Sequence, residues 1–110
     1  MERQNGHAEL FLNSESVGQV ELRGADPSWS FGEFTPNDAF SKYAIHFARW
    51  SMLMHEDADQ QLHEATSAEL RAAEIAIDRL KARLYFPKTD EWERVGQLNI
   101  DGSLIEWKHY

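Results

Sequence analysis

The side chains best placed to do chemistry lie in MHEDADQQLHEA. On a continuous helix His55, Asp59 and His63 fall at i, i+4 and i+8 along one face, with Glu56 and Glu64 beside them. Two neutral imidazoles and a carboxylate in that line could hold Zn²⁺ or a similar ion. The spacing is not HExxH, since Ala65, Thr66 and Ser67 follow His63-Glu64. The competing expectation is the solvated face of a surface helix.

A second line is basic. Lys42, His46 and Arg49 recur at i, i+4 and i+7 on a stretch that is otherwise largely apolar, with Tyr43 next to the first. An anion or carboxylate could bind there, and His46 could serve as a general base near neutral pH. The simpler alternative is pairing with some of the 19 acidic residues. Whether the line opens into a pocket decides between the two.

The third grouping is aromatic: Trp29, Phe31 and Phe34 near one end, Trp107 and Tyr110 near the other. Strand parity sends Trp29, Phe31 and Trp107 toward a core and Phe11 and Tyr110 away from it. Phe11, Leu104 and Tyr110 together would form an apolar patch of the kind that marks a partner surface. Nucleophilic catalysis finds no support, because no serine stands in GxSxG and no glycine-rich loop precedes GK[ST]. No cofactor is expected.

Composition narrows the partners. The chain has 110 residues, the size of one domain spanning 1–110, and a formal charge of −8. That charge argues against nucleic acid or an anionic membrane as partner, since both rely on a basic field. With no cysteine there is no thiol nucleophile and no thiolate metal site. No apolar run approaches the length of a membrane span, and MERQNGHAEL lacks a leader-like apolar core, so a cytoplasmic protein is expected.

These side chains need elements to position them. Met1 to Gly6 is polar and expected to fray. Alternation predicts strands over His7 to Asn13, Gly18 to Arg23 and Ser28 to Phe34. Thr35-Pro36-Asn37-Asp38 reads as a helix start, with Thr35 as N-cap and Pro36 in the first turn, opening a helix over 36–54 whose stripe is Phe40, Tyr43, Phe47, Trp50 and Met54.

An unbroken helix from Pro36 to Leu84 would run about 73 Å, too long for this domain, so a turn is placed near His55 to Asp57. The stripe Leu62, Thr66, Leu70, Ala73, Ile77, Leu80 and Leu84 predicts a second helix ended by Pro87. Lys88 to Arg94 reads as a charged connector. Asp101-Gly102 predicts a type I′ hairpin that sets Ile100 against Ser103 and Leu98 against Ile105.

The element order is βββααββ. The expected fold is α+β, an antiparallel sheet of about five strands with two helices packed on one face and the closing hairpin paired to an opening strand. The leading functional expectation is a small acidic, non-enzymatic module that binds another protein, itself included, in the manner of an inhibitor or immunity protein. The alternative is a ligand-binding domain or enzyme with a pocket between the sheet and helix 36–54, using Tyr43, His46 and Arg49.

Overall fold

Seven strands form one antiparallel sheet, and the placement of two of them dictates its shape. The computed structural model describes residues 6–25, 28–58 and 64–108, the side chains of 54–58 and 64–67 excepted. The strands are β1 (His7–Leu12), β2 (Glu15–Ala25), β3 (Trp29–Pro36), β4 (Arg83–Phe86), β5 (Glu91–Arg94), β6 (Gly96–Asp101) and β7 (Leu104–Lys108). A 3₁₀ helix, Asp38–Lys42, and two α-helices, α1 (Ala44–Ala58) and α2 (Glu64–Asp78), lie between β3 and β4.

In space the strand order is β5-β4-β1-β2-β3-β7-β6. The two edge strands, β5 and β6, are joined through Val95 alone. Two peptide units span at most about 7.6 Å between Cα atoms, so the sheet has to curl until its edges approach at that corner. The result is a half-barrel. Ala8, Leu10, Leu12, Val20, Phe34, Leu84, Phe86, Leu98, Ile100, Ile105 and Trp107 line its interior, and Phe47 of α1 and Ile77 of α2 join the same cluster. Both helices pack against β6.

The sheet has seven strands rather than about five, and the order is βββααββββ. The extra pair is the β4–β5 hairpin. Leu84 does not end a helix, because α2 stops at Asp78 and Lys81 takes a left-handed φ of 54° that turns the chain away. Leu84 lies four residues beyond Leu80, a spacing that fits a helical stripe, yet together with Phe86 it also alternates with Arg83 and Tyr85, and the sheet makes use of that second pattern. Half of the charged connector is β5, registered as Leu84↔Glu93 and Tyr85↔Trp92.

Three further expectations shift. Thr35 and Pro36 do not open a helix; they end β3, paired with Gln19 and Gly18. The N-cap is Asn37, whose side chain accepts from the Ala39 N–H at 2.9 Å. The Phe40–Tyr43–Phe47 stripe survives the change because a 3₁₀ turn also superimposes residues three apart, and Phe40 packs on Phe34 and Phe47 at 5.0 and 5.8 Å. The reversal between the helices comes later than His55 to Asp57, since α1 continues to Ala58.

In β3 the inward residues are Ser30, Gly32 and Phe34, while Phe31 faces out. Gly32 permits this, because a Cβ there would sit 2.4 Å from the Glu21 carbonyl oxygen. Phe31 in turn covers Gly24 across the ladder.

The terminal hairpin forms and pairs through β7 with β3, but its register is Ile100↔Ile105 and Asp101↔Leu104. The two-residue turn is therefore Gly102-Ser103. Only Gly102 has positive φ, as a type II′ turn requires. Moving the pairing by two residues keeps the same faces, so Leu98, Ile100, Ile105 and Trp107 remain inward.

Candidate functional site

The open end of the half-barrel, where six chain segments terminate or turn, is concave. A cleft of about 560 Å³ lies between the β1–β2 turn, the end of α2, the start of β4 and the β5–β6 corner. Its frame is tied together through the backbone. The Asn13 N–H donates to the Leu80 carbonyl at 2.7 Å, and the Val95 N–H donates to the Ala82 carbonyl at 3.3 Å.

The frame also concentrates unusual backbone. Asn13, Ser14, Lys81 and Gln97 all have left-handed φ, between 48° and 67°, and all line the cleft. For Asn13-Ser14 this is the two-residue hairpin turn preferred between right-twisted strands. Lys81 closes the end of α2. Gln97 falls where the β6–β7 register slips between Gly96 and Asn99.

Three cations, Lys81, Arg83 and Arg94, line this cleft with a single carboxylate, Asp78. Arg83 and Arg94 are direct cross-strand partners in the β4–β5 ladder. Like charges at such a position oppose pairing. The Arg83 guanidinium lies 4.8 Å from the Trp92 ring centroid, and its Nη2 is 3.4 Å from Ser14 Oγ.

A second cavity of about 270 Å³ adjoins the first and shares Ile77, Asp78, Gln97 and Leu98 with it. Trp29, Trp50, Glu74 and Glu106 supply its other walls. Asn99 completes it, donating through Nδ2 to Glu106 Oε1 at 3.3 Å, while its buried Oδ1 has no hydrogen-bond partner among the described residues. A third hollow, about 130 Å³, lies on the outer face beside His7, Glu21 and Glu33.

The line of Lys42, His46 and Arg49, which runs from the end of the 3₁₀ helix into α1, contributes to none of these three cavities. Lys42 Nζ binds Glu15 at 2.7 and 2.9 Å, and the Tyr43 hydroxyl donates to the same carboxylate at 2.9 Å. Hydrogen bonds from Lys42 first, and then Tyr43, hold the Glu15 carboxyl below its ordinary range. The carboxylate pushes the Tyr43 hydroxyl upward. His46 is half-buried and Arg49 exposed.

Phe11 faces outward from β1 and packs against Trp92 at 5.0 Å, and Tyr85 packs against the same indole at 4.9 Å. Leu104 is 43% exposed on β7. Strands β2 and β3 stand between β1 and β7, so Phe11 and Leu104 are separated by roughly 14 Å of sheet at 4.8 Å per strand and do not share a patch. Tyr110, and the side chains of His55, Asp59 and His63, lie outside the described residues. No helix among the described residues is long and apolar enough to cross a membrane.

The cleft residues Lys81, Arg83 and Arg94 carry no spacing signal of their own, since reading them as a helix end and a connector hides their proximity. The findable signal was Pro87 to Asp90 as a hairpin turn, which places Arg83 opposite Arg94 directly. Comparison with known proteins finds no matching family, no similar curated protein and no similar solved structure.

Proposed function

We propose that this protein is a binding domain for a small anionic ligand, carboxylate or phosphate, held in the cleft at the open end of the half-barrel. The observation that carries the reading is the facing pair Arg83 and Arg94, joined by Lys81 on the wall of a concavity of about 560 Å³ in a chain of net charge −8. Arginines at directly paired positions disfavour the ladder, and an anion held beside them offsets that repulsion. Guanidinium also matches carboxylate and phosphate through paired N–H donors. The volume falls within the usual range for small-molecule sites.

Global charge opposes an anion's approach, but at physiological salt a charge is screened over about 8 Å, so the three nearby cations dominate inside the cleft. The test is titration with inorganic phosphate and with short dicarboxylates, followed by amide chemical shifts. Shifts centred on 13–14, 81–83 and 94–97, weakened at least tenfold in Arg83→Ala and in Arg94→Ala, would support the proposal. Shifts elsewhere, or affinities unchanged in both variants, would remove it.

One observation favours a second reading, an acidic module that binds a basic protein. The outward sides of the helices, opposite Phe47 and Ile77, expose Ile45 at 68%, Met52 at 57% and also Ile75. An apolar centre within an acidic surface suits a partner with a basic rim. Ile45→Ser and Met52→Ser should then abolish capture of that partner without lowering Tm, and high salt should slow its association. Capture that ignores both substitutions and salt, or self-association in its place, counts against this reading.

A further inference from the structure

We infer that the ligand of this cleft is dipolar, carrying an ammonium or guanidinium group that enters the second cavity while its anionic group meets Lys81, Arg83 and Arg94. The inference rests on the anion-binding reading above and goes beyond it by naming the other end of the ligand. The two cavities adjoin at Ile77, Asp78, Gln97 and Leu98, which line both, and their charges are opposite: three cations and Asp78 in one, Glu74, Asp78 and Glu106 in the other. A single extended molecule reaching from one to the other would meet each field with the complementary group.

The second cavity has the further chemistry of a cation site. Trp29 and Trp50 line it, and indole is the strongest of the aromatic attractors for an organic cation. Glu74, Asp78 and Glu106 line the same cavity and bring carboxylate acceptors. An ammonium group brings three donors and no acceptor, so it suits a wall that is rich in acceptors. Net charge points the same way. A plain anion is repelled at long range by a protein of charge −8, whereas a molecule bearing both signs is not.

The experiment compares straight-chain ω-amino carboxylates with plain carboxylates of the same length, using calorimetry and tryptophan fluorescence on the whole chain. The expected result is a gain of about tenfold on adding the ammonium, with a maximum at one chain length and a change in indole emission. In Glu74→Gln/Glu106→Gln, which removes two charges and keeps the acceptor for Asn99 Nδ2, the gain should vanish while the plain carboxylate binds as before. Plain carboxylates that bind through Arg83 with no gain from the ammonium would overturn the dipolar ligand and leave the anion site standing. Failure of both series to bind would overturn both.

Discussion

Two sets of cations on this acidic protein invite comparison. Lys42, His46 and Arg49 are regularly spaced and plain in the sequence, whereas Lys81, Arg83 and Arg94 are scattered over a helix end and two strands. The regular set lies on a helical layer away from the cavities, and its first member is already engaged by Glu15. The scattered set surrounds a cleft. Periodic spacing places residues along one side of a helix, and that side is convex. A concave site needs the ends of several elements, so its residues arrive from unrelated positions in the chain.

The sharpest way to break the comparison is to loosen the strand that assembles the scattered set. Leu84 is fully buried in β4, so Leu84→Ala should cost about 2–5 kcal/mol in chemical denaturation. A cost near zero would mean that β4 is not held in the sheet and that the cleft has no frame. Next in size is ligand affinity. Arg83→Ala should weaken anion binding at least tenfold, while Arg49→Ala changes it less than twofold, both read by calorimetry. Equal losses would erase the distinction between the two sets.

A smaller effect concerns the empty protein. Arg94→Glu converts a like-charge cross-strand pair into an attractive one and gives up the contact that Arg94 already makes, so stability should stay within about 1 kcal/mol while anion binding is lost. A parallel loss of stability would show that Arg94 holds the β5 edge in some other way.

The smallest effect belongs to the Glu15, Lys42 and Tyr43 cluster. The Glu15 carboxyl is depressed in the folded state, so its contribution is present above the ordinary carboxylate range and fades as pH falls through the folded value. Lys42 and Tyr43 are raised, so theirs persist below their ordinary values and fade as pH rises through the raised ones. All three groups are solvent-accessible and screened, and Glu15→Gln should therefore flatten the acid side of the Tm–pH curve only slightly. A large change would mean that this cluster is structural.

The fold was legible wherever one pattern had one interpretation. Alternation located the first three strands and the final hairpin, and the stripe through Phe40, Phe47 and Trp50 located a helical layer. Ambiguity arose where two periods coincide, as at Leu80 and Leu84, and where a residue suits two roles, as Pro36 does at a strand end or a helix start. The parity of β3 turned on a contact between strands, the Glu21 carbonyl against Gly32, which no local pattern contains.

The amino-acid sequence by itself determined that this chain is an acidic α+β domain with tryptophan-rich sheet ends and helices between, because hydrophobic period and turn chemistry act over a few neighbouring residues. Only the tertiary structure decided that the sheet curls and that Arg83 faces Arg94 where a cleft opens beside two indoles. Val95 alone links the two edge strands, a constraint that becomes visible once every strand has found its partner.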